Sequence, residues 1–176
     1  MYFGLSEEQQ FFQESINKFL EDTVTVDALR SHRTGENKNL SRLVFEGLNE
    51  LGLSSLVVPE AFGGLGLDSL FAISVSESLG RGVAPYPFIG SFLIAPFLID
   101  KLGSDSQKQE YLPGIATGEK RFAVALTEMT GRRIQSGIKY SNQKLNGRTL
   151  FVMDDIESTH YLIVDSDAGV HVVDAS

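Results

Sequence analysis

The 176 residues contain no cysteine and no tryptophan, only three histidines, and fewer cations than anions: 15 Lys and Arg against 23 Asp and Glu, a formal net charge of −8. Without cysteine there is no disulfide framework, no thiolate metal site and no cysteine nucleophile, a composition compatible with a reducing compartment. The anionic surplus repels polyanions, which disfavours nucleic acid as a main partner. Long apolar runs are also missing. The most apolar stretch, Tyr86 to Ile99, carries Pro87 and Pro96 and falls short of the roughly 20 residues that a bilayer-spanning helix needs. It reads as a buried core helix, and no membrane span is expected. The opening Met1-Tyr2-Phe3-Gly4-Leu5-Ser6-Glu7-Glu8 lacks the basic and apolar regions of a secretory signal, so the expected setting is cytoplasmic.

What is present suits one generous domain, or one domain and the beginning of another. Hydrophobic residues make up 42% of the chain and include 12 Phe, enough to bury a core without staples. Ser6 followed by Gln9 is a capping-box pattern, and Phe12, Ile16, Phe19 and Leu20 recur on one helical face, predicting a helix over 6–22. Periodicity is weak from Thr25 to Asn39, with a loop expected at Thr34-Gly35-Glu36-Asn37. Leu40, Leu43, Val44, Leu48 and Leu51 then mark a second helical stripe closed by Gly52. After Pro59, the glycine-dense Phe62-Gly63-Gly64-Leu65-Gly66-Leu67 must turn the chain tightly. Asp68 caps a third predicted helix to about Leu79, the apolar run forms a fourth ending near Gly103, and a fifth starts at Ser104 or Asp105 and stops near Pro113-Gly114.

From Phe122 the texture changes. Val124, Leu126, Ile138, Tyr140, Leu150, Val152, Tyr161, Ile163, Val170 and Val172 fall in short alternating runs divided by Gly, Asn and Asp, and Asn146-Gly147 reads as the turn of a hairpin. Helices followed by strands, without βαβ alternation, give an α+β class, with a helical domain over 1–119 and a β domain from 120 to 176.

Candidate chemistry is sparse. Gly63-Gly64-Leu65-Gly66 precedes a helix but lacks the G-x-G-x-x-G spacing and the Walker lysine, so a structural turn outweighs a phosphate cradle. Tyr140 and Lys144 have Y-x-x-x-K spacing, but along a strand entering the Asn146-Gly147 turn they would stand about 13 Å apart. Ser15 and Lys18 match S-x-x-K without its companion motifs. His32, His160 and His171 show no metal spacing; His160 and His171 are placed to meet across a hairpin near Asp165 or Asp167, a weaker reading than surface histidines. Asp154, Asp155 and Glu157 read as a solvated acidic turn.

Several stretches in fixed order carry more. Leu5-Ser6-Glu7-Glu8-Gln9, Leu48-Asn49-Glu50-Leu51-Gly52-Leu53, Val58-Pro59-Glu60-Ala61-Phe62-Gly63-Gly64-Leu65-Gly66 and Leu79-Gly80-Arg81 are followed by Leu102-Gly103-Ser104, Gln107-Lys108-Gln109-Glu110-Tyr111-Leu112-Pro113, Ile115-Ala116-Thr117-Gly118-Glu119 and Ala125-Leu126-Thr127-Glu128. This ordered set covers nearly the whole chain and resembles the acyl-CoA dehydrogenase family. The resemblance implies an all-α amino-terminal helical domain followed by the first part of an antiparallel β-barrel-like middle domain. It also implies FAD as cofactor, an acyl-CoA thioester of fatty acid or steroid side-chain catabolism as substrate, and homo- or hetero-oligomers of acyl-CoA dehydrogenase-type subunits, with an electron-acceptor protein as a further partner. In such enzymes a glutamate takes the α-proton while a hydride leaves the β-carbon for the flavin, which makes catalysis largely a matter of positioning.

The family's T-E-P motif maps onto Thr127-Glu128-Met129, and its G-x-K-x-W/F-I-T strand onto Gly147-Arg148-Thr149-Leu150-Phe151-Val152-Met153. The resemblance therefore nominates Leu126, Thr127, Phe151 and Met153 as cofactor-binding, and Gly131 and Arg132 as substrate-binding. Departures are several. Thr130-Gly131-Arg132-Arg133 replaces the usual x-A-G-S-D without its serine, Thr149 stands for the lysine, and Met153 for a hydroxyl residue that contacts the flavin. Arg132 and Arg133 suit a phosphate or an interface pairing, but solvation is the ordinary fate of such a pair. The family's glutamate base comes from a carboxy-terminal domain, so no catalytic residue is nominated and the isolated chain is expected to be inactive. It reads as a fragment, a short non-catalytic partner subunit, or a degenerate homologue.

Overall fold

The computed structural model describes residues 4–126 and 137–175. They fall into two compact units, Met1–Tyr86 and Pro87–Ser176.

The first unit is helical. Helix α1 (Glu7–Thr23) starts at the expected capping box, in which Ser6 Oγ accepts from the Gln9 N–H and the Gln9 side chain accepts from the Ser6 N–H. Its buried residues are Ile16 and Leu20, and it packs against α4 (Ser69–Arg81) and α3 (Leu40–Glu50). Close approach to α3 is set by glycine, since a Cβ at Gly47 would lie 2.3 Å from the Phe19 ring. Phe12 meets Phe71 edge-on at 5.2 Å, joining α1 to α4, and Asp68 caps α4 by accepting from the Phe71 N–H. Within the weakly periodic stretch the chain forms α2 (Val26–Arg33), which buries no residue. It is held at its ends instead: Thr25 accepts from the Ala28 N–H, Asp27 lies in the first turn and Arg30, His32 and Arg33 in the last.

The glycine-dense loop is structural. Leu65, Gly66 and Leu67 donate their N–H groups to the carbonyls of Ser55, Val58 and Leu56, and Gly63 and Gly64 donate to Glu60 and Pro59. These donors point into the fold and form no phosphate cradle. Gly64 is required by contact, because a Cβ there would stand 1.9 Å from the Val58 carbonyl oxygen.

The second unit opens with the apolar run, which does not form one α-helix. Phe88–Ile94 winds as a π-helix and α5 (Ala95–Leu102) follows. Pro96 has no N–H and its ring crowds the carbonyl four residues back, so the wider turn ahead of it, with the Ala95 N–H bonded to the Gly90 carbonyl, removes the conflict. Helix α6 (Asp105–Ala116) has a second capping box, Ser104 with Gln107.

Strands β1 (Phe122–Ala125), β4 (His160–Val164) and β5 (Val170–Asp174) form a mixed sheet in the order β1-β4-β5, β1 parallel and β5 antiparallel to β4. The α+β order is as the sequence implies. Strands β2 (Gly137–Ser141) and β3 (Lys144–Arg148) form a separate antiparallel hairpin. Its turn is not Asn146-Gly147. Those residues lie within β3, and the turn is Asn142-Gln143, with φ of 51° and 60°. Gly147 serves another need: it faces Ile138 in the ladder, and a Cβ there would come within 2.2 Å of the Gly137 carbonyl oxygen. Among the described residues no helix is long and apolar enough to cross a membrane.

Candidate functional site

Of the nominated residues, Leu126 and Met153 lie at β1. All four of its residues are buried. One edge pairs with β4; the other is held by Met153, whose N–H donates to the Val124 carbonyl while its carbonyl accepts from the Val124 N–H, both at 2.9 Å. Leu126, half-buried, follows the strand directly. The chain leaves β3 at Arg148, so residues 149–152 lie outside any strand, and Phe151 stands at φ 56° with 79% of its surface exposed. A left-handed backbone at an aromatic residue is uncommon, and it turns the segment between β3 and the Met153 bridge. Thr127, Gly131 and Arg132, with Glu128, Met129, Thr130 and Arg133, lie outside the described residues.

The structure adds Asp154. Its Oδ2 accepts the N–H groups of Gly90 at 2.6 Å and Ser91 at 3.1 Å, at the first turn of the π-helix. Burial pushes this carboxyl above the usual aspartate range, and the two N–H groups pull it back in part. The solvated acidic turn is thus corrected at Asp154; Asp155 and Glu157 are exposed as expected, Glu157 pairing with Arg121 at 2.8 Å and Asp155 accepting from the Tyr161 hydroxyl at 2.8 Å. Ser91 is fully buried, and its Oγ accepts the Phe122 N–H at 2.8 Å. No local sequence signal separates Asp154 from Asp155; the distinction is made by the Met153 bridge beside it.

The other candidates resolve structurally. His160 and His171 do not meet, since His160 lies opposite Asp174 and His171 opposite Ile163 in the β4–β5 ladder. His160 Nε2 stands 3.3 Å from Asp174, and His171 Nε2 2.8 Å from Asp165. Burial lowers the His160 pKa, with Lys120 adding to the effect and Asp174 and Glu110 opposing it. His32 lies against the Asn37 carbonyl and Ser41 Oγ. Among the described residues no group of three or more His, Asp or Glu is placed to hold a metal ion. Tyr140 and Lys144 flank the hairpin turn on opposite strands, correcting the single-strand placement, and Tyr140 packs on the His171 ring at 4.7 Å rather than on Lys144. Ser15 Oγ donates to the Phe11 carbonyl within α1.

Leu98, Leu102, Tyr111, Leu162 and Val172 line a cavity of about 50 Å³ between α5, α6 and the sheet, far below the size of a cofactor pocket. The apolar run buries Phe88, Phe92 and Ile99 but exposes Ile89 and Phe97.

The donor set tests whether a flavin ring suits the β1 edge. Leu126, Phe151 and Met153 offer apolar, aromatic and thioether surface and no side-chain hydrogen-bond donor. That chemistry suits the face of a planar ring and not its polar edge.

Residues 6–119 match the family model for the acyl-CoA dehydrogenase N-terminal domain. The chain is 28% identical over 181 residues to mitochondrial isovaleryl-CoA dehydrogenase of Pongo abelii, covering 98% of this chain and 42% of that protein. It is 33% identical over 156 residues to a probable acyl-CoA dehydrogenase of Bacillus subtilis, covering 84% of this chain and 24% of the relative. Among solved structures, the Tcur3481-Tcur3483 steroid ACAD superposes with a TM-score of 0.77 at 27% identity, over 97% of this chain and 48% of the other. The chain thus spans less than half the length of each of these relatives. With the family model matched from the first capping box to the end of the helical region, the chain belongs to the acyl-CoA dehydrogenase family.

Proposed function

We propose that the protein supplies the helical wall and part of the flavin-facing β-structure of an FAD-dependent acyl-CoA dehydrogenase acting on an acyl-CoA thioester. The observation that carries this reading is the Met153–Val124 bridge, which holds a flavin-contact candidate of the family against the strand leading into its T-E-P position, beside the exposed ring of Phe151. Leu126, Phe151 and Met153 would pack on the ring, with Thr127, Gly131 and Arg132 as the nominated cofactor and substrate contacts of the following segment. The bound flavin would accept the hydride; this chain's residues orient it and exclude water from its face. The proton-abstracting residue is not assigned to this chain. A cytoplasmic setting and assembly with acyl-CoA dehydrogenase-type subunits belong to the same reading.

A second reading is a non-catalytic partner subunit. It is favoured by Met153 in place of a hydroxyl and by Thr149 in place of a lysine, which leave fewer polar contacts for a flavin edge. The steroid ACAD to which the chain is similar bears a paired name. One experiment separates the two: purify the protein with whatever co-purifies, record the flavin absorbance, and assay acyl-CoA-dependent reduction of an artificial electron acceptor. Bound flavin with turnover by a homo-oligomer of the full-length protein supports the first reading, the 176-residue chain alone being expected to stay inactive. Turnover only with a longer co-purifying chain supports the second, and a flavin-free, inactive preparation counts against the first.

A further inference from the structure

We propose that Asp154 is a positioning residue for the flavin-facing edge, closing a ring of hydrogen bonds through the π-helix and β1 that fixes the backbone at Met153. The proposal rests on the reading of that edge given above.

The ring can be followed bond by bond. Ser91 Oγ accepts the N–H of Phe122, the first residue of β1. Two residues on, Val124 exchanges both backbone hydrogen bonds with Met153. Asp154 is the next residue, and its Oδ2 returns to the N–H groups of Ser91 and Gly90. Those two donors sit in the first turn of the π-helix, where helical N–H groups have no carbonyl partner within the helix and take one from outside. Gly90 is part of the device. A Cβ at that position would stand 2.9 Å from Asp154 Oδ2 and 3.3 Å from Met153 Cβ, so any side chain pushes the carboxylate away from the helix end.

The consequence falls on residues 149–153. They have left the β3 ladder, they include the left-handed Phe151, and Met153 ties them to β1 through the Val124 bridge. Asp154 adds two further hydrogen bonds to this tie, from a separate element. An asparagine oxygen can accept the same two N–H groups, so the site needs an acceptor at this point and not a charge.

The test uses the purified protein and the variants Asp154→Ala, Asp154→Asn and Gly90→Ala, with circular dichroism to establish folding. Amide hydrogen exchange is followed in the flavin-free state for peptides covering 88–94 and 149–157, and FAD affinity by fluorescence quenching. Asp154→Ala and Gly90→Ala should speed exchange in both peptides by about tenfold or more and weaken FAD binding. Asp154→Asn should leave both near wild type, a rescue that loss of charge would not give. Wild-type exchange in Asp154→Ala, or equal damage from Asn and Ala, overturns the proposal. Should Asp154→Ala fail to fold, the Asn variant decides, because exchange as slow as wild type supports the acceptor role and faster exchange refutes it. If the wild-type protein binds no FAD, the functional reading fails while exchange still reports on the ring.

Discussion

Asp165 and His171 meet at 2.8 Å across the turn that joins β4 to β5, and this contact organises the tip of the sheet. The Asp165 side chain is 5% exposed, and its second oxygen accepts the N–H groups of Asp167 at 2.9 Å and Gly169 at 2.8 Å. No side chain fits at Gly169, where a Cβ would lie 2.7 Å from Asp165 Oδ2. Tyr140 of the neighbouring hairpin then covers the His171 ring.

The first prediction follows from the charge on Asp165. The hydrogen bond from His171 holds its carboxyl below the usual aspartate range; burial opposes this, and the N–H groups of Gly169 and Asp167 reinforce it. A depressed folded-state pKa means that the unfolded chain binds protons first on acidification. The stabilisation is therefore complete above the ordinary aspartate value of about 3.9 and is lost as pH falls through the depressed one. Asp165→Asn should lower the melting temperature at pH 7 and flatten its decline in acid. Melting curves recorded between about pH 3 and 7 check this, and parallel declines for the two proteins would contradict it.

His160 gives a second pH dependence at higher pH. Its ring stacks on Phe122 at 5.0 Å and meets Tyr111 edge-on at 5.6 Å, and burial there disfavours the imidazolium, with Lys120 adding to the effect. A lowered histidine pKa again makes the unfolded chain the better proton acceptor, so stability is full above the unfolded value of about 6.5 and falls as pH drops through the folded one. His160→Phe keeps the stack and removes the titration. The variant's stability should stay level between about pH 7 and 5 while the wild type declines, as read by urea midpoints at constant ionic strength.

Legibility in the sequence divides along physical lines. Ser6 with Gln9 and Asp68 ahead of Phe71 were readable because a cap is a local hydrogen bond made by residues three apart. The stripe of Leu40, Val44 and Leu48 was readable because it is buried on one face. Helix α2 was not, since it buries nothing and leaves no apolar period. The apolar run is legible as a buried helix, but its π winding is not, because burial of Phe88 and Phe92 looks the same in either winding. At the candidate site the resemblance reached Met153, but Asp154 acts on Gly90 and Ser91, 64 and 63 residues away in the chain. Such a contact has no local pattern.

The misread hairpin makes a third prediction. Asn146-Gly147 has the strongest turn chemistry in this stretch, yet the turn falls on Asn142-Gln143, where both residues hold positive φ. Glutamine pays a steric penalty in that region that glycine avoids. Gln143→Gly should stabilise the β2–β3 hairpin by about 1 kcal/mol. Gly147→Ala should destabilise it, since its Cβ would meet the Gly137 oxygen. Amide exchange at Ile138 and Leu145 measures both, and tolerance of alanine at 147 with loss of order from glycine at 143 would indicate a different register.

The last prediction concerns Met153. The backbone of this residue is fixed by two hydrogen bonds to Val124 whatever its side chain, so a substitution here alters what the edge offers a flavin without dismantling the bridge. In the related pattern the position carries a hydroxyl, which can hydrogen-bond a ring heteroatom where a thioether is at best a weak acceptor. A neutral hydrogen bond of this kind contributes about 1 kcal/mol, or roughly fivefold in affinity. Met153→Thr should therefore tighten FAD binding by about that factor while leaving the thermal stability of the flavin-free protein within a few degrees of wild type. Titration calorimetry with FAD reads the first quantity and a melting scan the second. If threonine weakens binding instead, the methionine is itself the packing surface for the ring and the site has been rebuilt around it; unchanged affinity would remove Met153 from the cofactor contact altogether.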